Sequence, residues 1–455
     1  MRVLLVEPPV SRYDVGTGIV GLAEPLALEC LAGALDGHEV QILDMRIEPV
    51  LQKVLRDFRP HVVGCGGYTV GVASVRNVLQ EAKQCDSKIL TVAGGHHATV
   101  QPQDFNQEYI DAVVVGEGEL TLRDLVSAFA TGRFFYDIPG LGLRQNGQFI
   151  LTADRPLADL DSLPFPARRL VRKYRNRYFR GKWQPIASMY TSRGCPYRCT
   201  FCAMWKVNRG KYRLRSPERI VEELKMAPEP YIDLVDDNTF ENIRWALDLA
   251  DRIQKAGIRK MYKVYSRADT IATHPEVVSR WKEIGLAIAL VGFESFRDKE
   301  LGSWHKQTSI SVNENAFRVL KKNDVEIAAY FVIDPDYAEA DFQSLKDYID
   351  RWELFHPVFT ILTPFPGTDL FNAEQHRIAN PNYERFDFFH AVLPTRLTGA
   401  RFAEMFVDLY KYAYSFSRAM KHMKRQRFFG VSLKQLVLKK RFFAQLDNLR
   451  RLPYS

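Results

Sequence analysis

Three thiols dominate the chemistry open to this chain. Cys195, Cys199 and Cys202 stand in the stretch Thr191-Ser-Arg-Gly-Cys195-Pro-Tyr-Arg-Cys199-Thr-Phe-Cys202, eight residues from first to last. Thiolates are soft ligands that suit iron-sulfur clusters or zinc. A structural zinc closes with four protein ligands, and only three cysteines are at hand. The nearest other cysteine is Cys85, and no histidine lies between His97 and His274. Zinc therefore needs a remote donor or a carboxylate. A [4Fe-4S] cluster held by three cysteines instead leaves one iron uncommitted, where a small molecule can chelate. No catalytic residue is assigned beyond these cluster cysteines.

Charged residues recur further on, just after apolar runs: Asp236-Asp237, Ser266-Arg267-Ala268-Asp269 and Gly292-Phe-Glu294-Ser295. Such groups are costly to bury unless they pair or meet a polar ligand. A structural Arg267–Glu294 pair is the plain alternative to a ligand site. Near the start, three glycine-rich turns follow apolar runs: Gly64-Cys-Gly-Gly-Tyr68-Thr69, Gly94-Gly95-His96-His97 and Gly116-Glu117-Gly118-Glu119. Glycine lets a ligand lie against the backbone where a side chain would clash; otherwise these are tight turns.

The elements that would position these residues form two α/β series. Val3–Val6, Glu39–Leu43, His61–Gly64, Lys88–Ala93 and Ala112–Val115 are short runs suited to parallel strands buried on both faces. Helical patterns at Leu26–Leu35, Val50–Asp57 and Val75–Lys83 lie between them. That order predicts a Rossmann-like, doubly wound parallel sheet over residues 1–145, with its ligand at the carboxyl ends of the strands. Residues 146–184, rich in Pro, Asp and Arg, read as a linker. Over 185–375, strands near Ala187–Thr191, Tyr231–Val235, Lys263–Ser266, Ala287–Phe293, Ile327–Ile333 and Val358–Leu362 predict a partial (β/α)6 barrel. Catalytic groups would sit at its carboxyl-terminal mouth. The helix Pro217–Met226 should start with Ser216 as its cap and Pro217 at its first position. Residues 376–455 form a helical, basic extension; an aromatic stripe (Phe402, Phe406, Tyr410, Tyr414) within the helix Arg401–Phe429 reads as packing.

Bulk properties narrow the class. No apolar run in the 455 residues approaches the ~18–20 that a membrane span needs. The N-terminal run stops at Pro8-Pro9, unlike a signal peptide, so a cytoplasmic location is expected. Six cysteines are too few for a disulfide scaffold, and Cys30, Cys65 and Cys85 read as core thiols. The net charge of +9 belongs to the tail: from Arg418 onward eleven Lys or Arg face the single acid Asp447. The segment Val431–Leu452 mixes these cations with Leu, Val and Phe. It could lie on an anionic bilayer or be a solvated face. No nucleic-acid partner is expected.

The Cys-x3-Cys-x-Phe-Cys spacing resembles the signature of the radical S-adenosylmethionine (SAM) superfamily. A doubly wound domain placed before such a barrel resembles its cobalamin-binding class B methyltransferases. Within that class the segments Arg213–Glu223, Val235-Asp-Asp, Val332-Ile-Asp-Pro-Asp-Tyr, Thr363-Pro-Phe-Pro-Gly-Thr and His390-Ala-Val-Leu-Pro-Thr-Arg-Leu look closest to the hopanoid C-3 methylases. The resemblance implies three cofactors: a [4Fe-4S] cluster on Cys195, Cys199 and Cys202, SAM, and cobalamin. It places SAM against Asp236, Arg267 and Glu294. It places cobalamin against Tyr68, Thr69, Gly94, Gly95, His96, Gly116, Glu117, Gly118 and Glu119.

One departure matters. Domains that ligate cobalt through histidine carry Asp-x-His-x-x-Gly after the first strand, and here the loop from Glu7 to Gly21 holds no histidine. Cobalamin bound without a histidine from that loop is expected. The chemistry implied is C-methylation of an unactivated carbon in a small-molecule or lipid substrate, through a 5′-deoxyadenosyl radical and methylcobalamin. A flavodoxin- or ferredoxin-type donor would supply electrons, and the enzyme would be cytoplasmic or peripheral at the inner membrane surface. A radical cyclase, a peptide or tetrapyrrole methyltransferase, and a non-catalytic cobalamin- or redox-responsive module are the competing readings.

Overall fold

The computed structural model describes residues 1–145, 147–425 and 433–450. Five parallel strands open the chain: β1 (Arg2–Glu7), β2 (Glu39–Asp44), β3 (Val62–Gly66), β4 (Leu90–Gly94) and β5 (Ala112–Val114). They are ordered β2-β1-β3-β4-β5. Alternate residues explain why both faces are covered. Val3 and Leu5 point into one apolar layer, and Leu4 and Val6 into the other. The connecting helices are α1 (Leu26–Gly33), α2 (Leu51–Phe58), α3 (Val72–Cys85) and α4 (Gly118–Thr131). The order reverses between β1 and β3, so a crevice opens at their carboxyl ends.

Two features depart from the expectation. An antiparallel hairpin, β6 (Leu141–Gln145) and β7 (Gln148–Leu151), extends the sheet across the anticipated boundary at residue 145. The stretch read as a linker is also packed rather than slack. The Arg168 guanidinium donates to Glu24 (2.5 Å), Glu223 (2.6 Å) and the Ser188 carbonyl (2.7 Å), and Arg175 pairs with Glu24 and Glu229. Glu24 belongs to the first sheet's side, Glu223 and Glu229 to the barrel's. Buried arginines thus staple the two domains, where removing one partner would strand the others' charge at about 3–5 kcal/mol.

The barrel is six parallel strands in chain order: β8 (Ile186–Met189), β9 (Tyr231–Leu234), β10 (Met261–Arg267), β11 (Leu286–Glu294), β12 (Glu326–Ile333) and β13 (His356–Ile361). Helix α5 (Pro217–Met226) begins as expected, with Ser216 Oγ accepting the Arg219 N–H. Outward strand residues such as Tyr262, Val264 and Phe293 build the main core against the helices.

The aromatic stripe of α6 (Gly399–Ala413) joins that core; Phe402 and Phe406 are fully buried. The helix ends at Ala413, and a second one runs Phe416–Arg425. The helix α7 (Leu433–Leu449) docks on the protein: Leu446 and Leu449 are buried, and Gln445 accepts the Gly16 N–H. Leu446 and Leu449 are therefore spent on packing, while Val437, Lys440 and Arg441 are exposed. Residues 426–432 and 451–455 of the predicted tail lie outside the described residues. No helix among the described residues is long and apolar enough to cross a membrane. Of the lone thiols, Cys30 and Cys65 are buried as read, but Cys85 is exposed, because it sits at the last turn of α3.

Candidate active site at the barrel mouth

The cysteine loop leaves β8 and is tied down at every few residues. Asp236, at the end of β9 and only 3% exposed, accepts the Thr191 N–H (2.6 Å), the Thr191 hydroxyl (2.7 Å) and the Ser192 N–H (2.8 Å). Both its oxygens accept hydrogen bonds, so Asp236 holds the loop. Next to it, Asp237 accepts the Gly194 N–H at 2.9 Å, and burial pushes its carboxyl up to about 6. Gly194 has φ +94°, and a Cβ there would lie 2.0 Å from the Lys211 carbonyl. Only glycine fits before Cys195.

Beyond the cysteines, Thr200 donates to the Trp304 carbonyl and accepts the Leu370 N–H. Phe201 fits an apolar nest with Trp304, Val332, Leu362 and Leu370, which explains an aromatic residue before Cys202. Cys199 is buried, and Cys195 and Cys202 are half-buried. Burial raises the Cys195 thiol to about 11 and Cys202 to about 12, so these thiols ionise only when a metal takes the proton's place. Among the described residues no group of three or more His, Cys, Asp or Glu could hold a single metal ion. Three soft donors with no fourth fit a cluster that takes one thiolate per iron, and not a closed zinc site.

Arg267 reaches this loop from β10, and Glu294 stands at the end of β11, but among the described residues they do not pair with each other. Arg267 stacks over the Tyr197 ring at 3.5 Å, lies 3.9 Å from Cys199 Sγ, and donates to Asp269 and the Lys306 carbonyl. Glu294 accepts from Lys306 at 2.7 Å and adopts a left-handed φ of +64° at a bulge in β11. Gly292 makes room, since a Cβ there would meet Glu294 Oε1 at 2.3 Å. Lys306, Trp304 and Tyr197 went unread in the sequence; Tyr197 alone stood inside a motif.

The three glycine turns of the first domain do converge on one edge, with a different division of labour from that expected. A Cβ on Gly66 would strike the Gly94 carbonyl at 2.6 Å, and one on Gly95 (φ +90°) the Gly67 nitrogen at 2.7 Å. Those glycines let two turns lie back to back. Gly116 (φ +87°) faces open space. Thr69 is buried and bonds His97 (3.0 Å), whose other nitrogen meets Asp104 (2.8 Å). Tyr68 is 70% exposed, with its ring 5.5 Å from that of His96. Partial desolvation at the cleft edge and the nearby charges of Asp237 and Glu7 push its hydroxyl pKa up. The His96 Nδ1 is buried without a hydrogen-bond partner among the described residues.

Glu117 and Glu119 are committed elsewhere. Arg193 donates to Glu117 (2.8 Å) and Glu119 (2.5 Å), and Arg213 donates to Glu117 (2.6 Å). Burial alone would raise the Glu117 carboxyl, but Arg213 and Arg193 bring it down to about 2. Both arginines flank the cysteine loop, where Ser192–Arg193 pairs with Arg213–Leu214. The turn that was to touch cobalamin is thereby locked to the loop that carries the cysteines.

A B12 binding domain model matches residues 14–126, and a radical SAM superfamily model matches residues 189–349. The hopanoid C-3 methylase of Methylococcus capsulatus is 31% identical over 87% of this chain and 77% of its own length. The chain belongs to the cobalamin-binding radical SAM methyltransferase family. As a radical SAM methyltransferase it works with a [4Fe-4S] cluster, SAM and cobalamin. An anaerobic magnesium-protoporphyrin IX monomethyl ester cyclase of Rubrivivax gelatinosus is 26% identical over 86% of this chain and 73% of its own. In fold, the methyltransferase superposes on the cobalamin-dependent SAM radical enzyme OxsB with a TM-score of 0.74 at 14% identity, covering 99% of this chain and 72% of that one.

Proposed function

We propose that the enzyme C-methylates an unactivated carbon on an apolar skeleton, an isoprenoid lipid of the hopanoid type. In this reading Cys195, Cys199 and Cys202 hold the cluster, and Arg267 and Glu294 with Lys306 orient SAM. Asp236 positions the cysteine loop. Tyr68, His96 and the backbone at Gly94, Gly95, Gly116 and Gly118 face cobalamin. When bound, the cluster with SAM supplies a hydrogen-abstracting radical, and cobalamin supplies the methyl group. The side chains around them bind, orient and exclude water, so that a carbon radical meets its methyl donor before it is quenched.

The observation that carries the reading is the clamp of Arg193 on Glu117 and Glu119 and of Arg213 on Glu117, which ties the third glycine turn of the first domain to the cysteine loop. The relative from Methylococcus supports the hopanoid class. Incubating reduced holoenzyme with SAM bearing a labelled methyl group and a hopanoid should give labelled product. Label-free product with 5′-deoxyadenosine would favour a radical cyclase, the activity named for the Rubrivivax relative. A flavodoxin- or ferredoxin-type carrier supplies the electron. A cytoplasmic enzyme of this kind would meet the inner membrane through Lys440 and Arg441, as a charge contact.

A further inference from the structure

The barrel lumen carries charge that the cluster chemistry does not use. Along β10, Tyr262 and Val264 point outward into the helical core, so Lys263, Tyr265 and Arg267 share the inner face. Lys263 donates to both oxygens of Asp233 on β9 (3.0 and 3.2 Å) and to the Tyr265 hydroxyl (2.7 Å), which satisfies its three donors. Arg180 approaches the same Asp233 from the short strand Phe179–Arg180, at 3.3 Å. Two cations therefore share one carboxylate.

That single contact is the one side-chain hydrogen bond Arg180 makes among the described residues. Its side chain is 37% exposed, although it faces Tyr265, Asp233 and Tyr330 within the barrel. A guanidinium has five N–H donors arranged to grip a carboxylate or phosphate. The carboxylate that Arg180 shares is already claimed by Lys263, whose side chain is buried, so most of the guanidinium's donors are left for another acceptor.

We infer that Arg180, backed by Lys263 and the hydroxyls of Tyr265 and Tyr330, anchors an anionic group of the substrate, a carboxylate or a phosphate, inside the barrel. Lys263 lies four residues below Arg267, about 13 Å along the strand. This rests on the methyltransferase reading and narrows its substrate: a bare hydrocarbon would leave Arg180 unsatisfied, whereas an amphiphile with an acidic end would not.

The test is anaerobic calorimetric titration of the cluster- and cobalamin-loaded enzyme with farnesol, farnesoic acid and farnesyl monophosphate. Both acids should bind at least about 10-fold tighter than the alcohol, and the tighter of them names the headgroup. Arg180→Gln should erase the preference, a loss of about 10- to 100-fold for a charged hydrogen-bonded pair, with iron content unchanged. Tyr330→Phe, a milder change, should reduce it. Equal binding of alcohol and acids, no measurable binding of any probe, or a preference that survives Arg180→Gln would overturn the assignment. Transfer of labelled methyl from SAM to cobalamin, followed in the same preparations, reports separately on the methyltransferase reading. Its failure beside an intact anion preference would sink that reading alone.

Discussion

Replacing Asp236 by alanine tests whether the cysteine loop is a preformed holder. The carboxylate accepts two backbone N–H groups and one hydroxyl, all from Thr191 and Ser192, which are 0% and 2% exposed. Each buried polar group left without a partner costs about 1–3 kcal/mol. With three such groups, Asp236→Ala therefore removes roughly 3–9 kcal/mol, a large share of the ~5–15 kcal/mol that holds a typical domain. Asp236→Asn keeps the shape and an oxygen for both N–H groups, and loses only a charge that burial already disfavours. Its cost should be about 1 kcal/mol. Iron and sulfide per chain after anaerobic reconstitution, alongside thermal melting, provide the readout. The alanine variant should lose most of its iron, and the asparagine variant should keep it. Full iron content and an unchanged melting curve for Asp236→Ala would refute the argument. An asparagine variant that keeps iron yet fails to bind SAM would show instead that the carboxylate touches the cosubstrate.

Three further outcomes are expected. Gly95→Ala forces a side chain into a left-handed position with its Cβ 2.7 Å from the Gly67 nitrogen. It should cost at least the ~1–2 kcal/mol of that conformation, lowering the melting temperature and weakening cobalamin binding in spectral titrations; wild-type values for both would contradict the back-to-back turns. Burial pushes Glu7 from 4.5 up to about 7, so its stabilising protonated form is fully present below about 4.5 and lost as pH rises through 7. Glu7→Gln should therefore gain stability relative to wild type across that window in urea titrations, and a pH-independent difference would count against it. Reversing the charge of the exposed Lys440 and Arg441 together should weaken co-sedimentation with anionic vesicles at low salt, by about 1 kcal/mol per cation removed, without changing the melting temperature. Unchanged partitioning would rule out a charge contact there.

Much of the architecture is legible in the sequence, because parallel strands buried on both faces write themselves as short apolar runs. All five expected strands of the first sheet and all six of the barrel lie where those runs are. The start of α5 is legible for a local reason, a Ser216 cap followed by Pro217. Roles that depend on distant partners are not. Glu117 reads as a ligand-facing residue until Arg193 and Arg213, over seventy positions away, are seen to claim it. Gly66 and Gly95 read as room for a cofactor, yet the atoms they spare belong to each other's turns. Lys306 carries no motif, and its importance comes from a fold that sets it against Glu294. The packing of residues 146–184 was not legible because Arg168 and Arg175 look like surface charge unless Glu24, Glu223 and Glu229 are known to surround them.

The pairing of Arg193 and Arg213 with Glu117 and Glu119 ties the cysteine loop to a turn of the B12 binding domain, so on the proposed function iron binding and corrinoid binding would be thermodynamic neighbours. Whatever orders one shoulder of that bridge steadies the other, and the free-energy exchange runs equally in both directions. Oxygen damage to the iron centre should then register as a leak of vitamin from a pocket that oxygen never touched, and refilling the pocket should slow the loss of iron.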